Sequence, residues 1–158
     1  MPLLASDILE VGQAKYRYAY ALDTRDWELY RSLLADQVIV DFRGLGYRGE
    51  PRQRSREWWV GQVRGLLDGF DVTQHVMSSP LVEEAEDGVA LTVYLQAHHR
   101  LNADDPHERH YTIGGKYQDR LRRENGSWVF TVLTLHSLWT SGDKSVMAEA
   151  AARARAAR

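Results

Sequence analysis

Between Gly88 and Leu101 the odd positions Val89, Leu91, Val93, Leu95 and Ala97 are apolar, while Thr92, Tyr94, Gln96 and His98 between them are amphipathic. A period of two predicts a long strand with one buried face, which His99 continues. This strand is the second of four segments, roughly 72–84, 88–101, 109–123 and 127–138, set off by Glu86-Asp87-Gly88, Asn102-Ala103-Asp104-Asp105-Pro106 and Glu124-Asn125-Gly126. Those are turn sequences, so the segments read as an antiparallel meander. The first third carries the helical period. Ile8, Val11, Gly12, Tyr16, Ala19 and Tyr20 trace one face of a helix from Asp7 to Ala21, and Thr24 offers the N-cap of a second, Arg25 to Ala35. A β-branched run, Gln37 to Arg43, ends at the Gly44 to Gly49 turn region. A third helix is expected over Gln53 to Leu67, with Trp58, Trp59, Val63, Leu66 and Leu67 inward and Gly69 as its stop. Helices first and a long curved antiparallel or mixed sheet afterwards predict an α+β fold with three N-terminal helices packed on the sheet.

At 158 residues, 44% hydrophobic and 27% charged, the chain suffices for one core. Residues 1–142 read as the domain, and 143–158 as an Ala/Arg-rich surface helix or frayed tail. A net charge of −2 gives no electrostatic reason to expect nucleic acid or an anionic membrane as partner. The absence of cysteine excludes a disulfide scaffold, a thiol nucleophile and thiolate metal sites. No leader pattern or apolar run of about 18 residues occurs, so the expectation is a soluble, cytoplasmic protein.

Three separated pieces carry the candidate chemistry: Asp23 in Leu22-Asp-Thr-Arg-Asp-Trp27, His75 in Thr73-Gln-His75, and His99 in Ala97-His-His-Arg100. A neutral imidazole takes a proton near pH 7, and a carboxylate beside it fixes the tautomer and stabilises the imidazolium. The chain has no Gly-x-Ser-x-Gly elbow, phosphate loop or dinucleotide fingerprint. Four of the six histidines lie in His98-His99 and His107-Glu-Arg-His110, but neighbours on one strand point to opposite faces and cannot chelate together. No metal and no cofactor are expected.

The order helix, helix, strand, helix, meander, with Asp23-x-x-Asp26-Trp27, Thr73-Gln-His75 and Asn125-Gly-Ser-Trp128, resembles the SnoaL-like branch of the cone-shaped α+β barrel superfamily, over about residues 5–140. Within it the chain is most similar to scytalone dehydratase and its bacterial relatives, including the bile-acid dehydratases. The resemblance implies a deep pocket inside the cone and a cofactor-independent elimination of water next to a carbonyl. Carried onto matching positions, Asp23 would orient His99, His99 would shuttle the proton, and His75 would hydrogen-bond the carbonyl or enolate. Leu22 and Phe42 stand where scytalone dehydratase has tyrosines, and Tyr117 where it has an amide, which argues against that substrate. Tyr18 stands five residues before Asp23, the spacing of a bile-acid dehydratase tyrosine, although Tyr20 is the geometrically simpler partner. Tyr20, Phe42, Leu45, Trp59, Ala97 and Tyr117 are the expected substrate contacts.

The resulting expectation is a dehydratase for a hydrophobic hydroxy-carbonyl small molecule, polycyclic or aromatic, in specialised metabolism, and a homo-oligomer, dimer or trimer, by analogy. An isomerase or polyketide cyclase would use the same residues, and a non-catalytic small subunit would share the shape. Each residue also has a plain reading: Asp23 as a turn aspartate, His75 as a half-buried histidine on a carbonyl, His99 as a mark of the barrel rim, Tyr18 as core.

Overall fold

The computed structural model describes residues 2–43, 50–102, 104–105 and 109–157. Its chain order is α1 (Ala5–Thr24), α2 (Trp27–Ser32), β1 (Leu34–Asp41), β2 (Arg52–Ser55), α3 (Arg56–Leu67), β3 (Val72–Met77), β4 (Leu81–Ala85), β5 (Gly88–Leu101), β6 (Arg109–Glu124), β7 (Ser127–Gly142) and α4 (Ser145–Ala156). The strands form one curled, unclosed sheet in the order β2-β1-β7-β6-β5-β3, with β4 also on β5. All pairings are antiparallel except β1 with β7, which makes the sheet mixed. The α+β architecture matches the expectation.

On β5 every odd residue from Val89 to Leu101 is buried, His99 included. This inward face meets Tyr111, Ile113, Tyr117 and Leu121 of β6 and the helices, and their contact forms the core. Among the described residues no helix is long and apolar enough to cross a membrane.

Five local expectations are corrected. The buried face of α1 runs through Val11, Ala14, Lys15, Tyr18 and Leu22, whereas Ile8, Tyr16 and Tyr20 are exposed. Val11, Gly12 and Ala19 of the predicted stripe are buried, and the helix is rolled so that the side carrying Ile8, Tyr16 and Tyr20 faces outward. Asp26, not Thr24, caps α2, its carboxylate accepting from Leu29 N. Residues 52–55 form a strand on β1 before α3 starts, because Ser55 accepts from Trp58 N as the N-cap. The expected 72–84 segment is two strands that pair with different parts of β5. Finally, α4 is docked: Val146, Ala150 and Ala154 repeat every four residues and are buried against α3 and the sheet. Gly69 permits the approach, since a Cβ there would lie 1.8 Å from the Ala150 carbonyl oxygen.

Candidate active site

Asp23 lies in the last turn of α1, where the chain reverses through Arg25 in the left-handed conformation (φ 60°). That reversal directs the carboxylate at β3. Asp23 Oδ1 accepts from Thr73 Oγ1 at 3.0 Å and from His75 Nδ1 at 2.7 Å, and Oδ2 accepts from the His75 backbone N–H at 2.8 Å. Arg25 Nη1 donates to Thr73 Oγ1 at 2.7 Å, so the threonine proton is committed to Asp23. Burial pushes the Asp23 carboxyl up, but hydrogen bonds and charge from His75, with help from Thr73, outweigh it and leave the group below the ordinary carboxylate range. An ionised Asp23 holds the His75 proton on Nδ1. The lone pair is therefore on Nε2.

His99 sits diagonally across the β3–β5 ladder, since Thr73 faces His99 and His75 faces Ala97. The two imidazoles meet edge to face with ring centroids 5.8 Å apart. His99 Nδ1 is 3.1 Å from the Tyr111 carbonyl oxygen, which can only accept, so its proton is also on Nδ1. Burial, and secondarily the neighbouring His75, lowers the His99 pKa to about 4. His99 is thus a neutral acceptor.

The expected roles are corrected accordingly. Asp23 holds His75 rather than His99, because its helix end aligns with the start of β3, while His99 is anchored to the backbone of β6. The carboxylate therefore fixes the His75 ring, and a backbone carbonyl fixes that of His99.

Both imidazoles line a small, mostly apolar cavity with Tyr18, Leu22, Phe42, Trp59, Ala97 and Tyr117. Its volume of ≈ 80 Å³ is well below the roughly 300–1,000 Å³ of a site for a drug-sized ligand. A space of this size is smaller than a polycyclic ring system. Of the two candidate tyrosines, Tyr18 is buried on the cavity wall and Tyr20 is 61% exposed, which removes Tyr20 from the substrate contacts. Leu45 lies outside the described residues. Gln62, Val63, Leu66 and Met147 are among the further lining residues and were not expected as substrate contacts; Met147 comes from the expected tail. Among the described residues no group of three His, Cys, Asp or Glu is placed to hold a metal ion.

The His99 environment predicts a pH effect. Its folded pKa, about 4, is below the ordinary 6.5, so between these values the unfolded chain binds a proton that the folded chain lacks. Stability from this group is complete above pH 6.5 and is lost as the pH falls toward 4, by on the order of 3 kcal/mol. Urea unfolding at pH 7 and pH 4.5 should show this loss, and His99→Gln should flatten it.

Three comparisons bear on this geometry. The SnoaL-like domain family matches residues 4–134. The β subunit of the methanesulfonate monooxygenase hydroxylase of Methylosulfonomonas methylovora is 26% identical over 145 residues, 82% of this chain and 80% of that one. Scytalone dehydratase arp1 of Aspergillus fumigatus is 25% identical over 99 residues, 61% of this chain and 56% of the dehydratase, so the match spans little more than half of that protein. Among solved structures, a hexachlorocyclohexane dehydrochlorinase (LinA, type 2) superposes with a TM-score of 0.71 at 14% identity, covering 87% of this chain and 89% of that one.

Proposed function

The chain belongs to the SnoaL-like family, and on that premise we propose that it is a cofactor-independent lyase, a dehydratase that removes water from a compact, largely apolar hydroxy-carbonyl compound. The observation that carries this reading is the Asp23–His75 contact of 2.7 Å at the wall of an apolar cavity. Two neighbours point the same way in reaction class, since one is named a dehydratase and the other a dehydrochlorinase, both eliminations.

In the proposed reaction, His75 Nε2 takes the proton from the carbon next to the carbonyl, and Asp23 stabilises the imidazolium that results. The electron pair forms the C=C bond as the C–OH bond breaks. The same imidazolium returns its proton to the departing oxygen, so water leaves and the base is regenerated. His99 has no proton to give on Nε2; its lone pair accepts from the substrate hydroxyl and holds the leaving group toward His75. Excluding water in the apolar cavity strengthens each of these interactions.

A second reading is favoured by a separate observation: the monooxygenase β subunit matches over four-fifths of its own length. In that reading the fold serves assembly and the cavity is inert. One measurement separates the two. Compact β-hydroxy ketones are incubated with the protein in D₂O, and ¹H NMR follows loss of the α-proton signal and growth of enone signals. Enone growth in the wild type, lost together with α-proton exchange in His75→Ala, supports the lyase. Equal spectra with wild type and His75→Ala overturn it and leave the subunit reading.

A further inference from the structure

The reversal at the end of α1 sets a guanidinium beside the Asp23–His75 pair. Arg25 is half-buried. Its Nη1 donates to two neutral oxygens at once, the Leu22 carbonyl at the helix end and Thr73 Oγ1 in β3, the latter 2.7 Å away. Two carboxylates lie close enough to feel its charge, Asp68 and Asp23. Asp68, at the end of α3, accepts from Trp27 Nε1 and from Arg64 Nε at 3.0 Å each. A guanidinium serving only as a surface charge would fork onto a carboxylate; this one joins a helix end to a strand.

Donor chemistry fixes the direction of that junction. A guanidinium can only donate. The Thr73 hydroxyl, 6% exposed, therefore uses a lone pair for Arg25 and its single proton for Asp23 Oδ1, 3.0 Å away. The same Oδ1 accepts the His75 Nδ1 proton. Every donor on a carboxylate makes it a weaker base, and Thr73 is among the groups that hold the Asp23 carboxyl below its ordinary range. The effect is felt at one stage of the elimination. Once His75 carries protons on both nitrogens, Asp23 is one hydrogen bond away from taking the Nδ1 proton. A carboxylate that already holds the Thr73 proton stabilises the imidazolium by its charge and leaves both protons on the ring. His99 of β5 and Tyr117 of β6 also feel the Asp23 charge, and the charge of Arg25 opposes protonation of His99.

We propose that Arg25, acting through Thr73, is the positioning residue that keeps Asp23 a charged partner for the protonated His75 and prevents it from taking the imidazolium proton. This rests on the acid–base reading above and deepens it in one respect: the proton that His75 removes is returned by His75 itself and never passes through Asp23. The hydrogen bond of Arg25 reaches Asp23 only by way of the threonine.

The experiment reads the Asp23 carboxyl itself. Protein labelled with ¹³C at the aspartate carboxyls is titrated as wild type, Arg25→Gln, Thr73→Val, Thr73→Ser and Arg25→Gln/Thr73→Val. Asp23→Asn assigns the resonance, and the amide spectrum marks the native range. Arg25→Gln and Thr73→Val are each expected to raise the proton affinity of Asp23 about tenfold, the scale of one hydrogen bond to a charged acceptor. Thr73→Ser keeps the hydroxyl and should titrate like the wild type. The double variant should fall well short of the sum of the two single shifts, because both changes break one relay. A wild-type titration in Thr73→Val or Arg25→Gln, or the full sum in the double variant, overturns the proposal; Thr73→Val decides alone if Arg25→Gln does not fold. The same proteins are assayed with 4-hydroxybutan-2-one, where Arg25→Gln should lower kcat about tenfold and leave KM nearly unchanged. An unaltered kcat in an active enzyme overturns the proposal as well. If the titrations come out as expected and the wild type eliminates no water, the lyase reading falls while the hold of Arg25 on Asp23 stands. If elimination proceeds and every titration matches the wild type, only the positioning role falls.

Discussion

His75→Ala is expected to lower kcat for the elimination by about a hundredfold to ten-thousandfold, the range contributed by a positioned general base. KM should change little, because the lost interaction belongs to the transition state. The tautomer of His75 sets this loss. Asp23 accepts three hydrogen bonds, two of them from His75, so the imidazole can neither rotate nor move its proton to Nε2 without breaking one. The lone pair is thereby kept on Nε2, and the energetic cost of orientation is met by folding rather than at the moment of reaction. Asp23→Asn tests the same point from the other side. An amide nitrogen facing His75 Nδ1 would move the ring proton to Nε2, leaving the base blocked while the fold persists. A kcat loss approaching that of His75→Ala, with a circular dichroism spectrum like the wild type, is the expected outcome. Wild-type turnover in either variant would remove the pair from the mechanism.

How far these groups are legible in the chain differs from residue to residue. His99 reads as an inward residue because strict alternation runs from Val89 to Leu101, and alternation survives in the folded strand. Its chemistry does not read out in the same way. Whether Asp23 meets His75 or His99 depends on the register of β3 against β5 and on the left-handed residue at the end of α1, and neither leaves a mark in hydrophobic spacing. β2 is four polar residues beside a helix that starts with a serine cap, so no period separates it from the helix. Lys15 and Asp119 do leave a signal. A lysine four residues after Val11 and three before Tyr18, and an aspartate between Tyr117 and Leu121 on the inward face, each break an apolar pattern where a charge must have a partner. Two opposite charges at core positions on separate elements are natural partners for each other, because neither can be buried alone.

That pairing carries the second large effect. Lys15→Met is expected to destabilise the fold by about 3–5 kcal/mol near pH 8, the range found when one partner of a buried ion pair is removed. The methionine itself packs well, so the loss comes from Asp119, which is left charged without its counterion. Burial pushes the Asp119 carboxyl up in the native protein, with Lys15 pulling it back; without Lys15 the upward push is unopposed. The sign of the pH dependence follows. A carboxyl whose folded pKa exceeds its unfolded value binds more protons in the folded state, so its charge costs stability progressively as the pH rises from the ordinary carboxylate range to the raised value. Lys15→Met should accordingly regain stability between pH 8 and pH 5, over a range in which Lys15→Gln/Asp119→Asn, having no charge to bury, shows no such recovery. Urea unfolding of the three proteins at both pH values measures it. A Lys15→Met protein as stable at pH 8 as the wild type would mean that Asp119 finds its proton or its partner elsewhere.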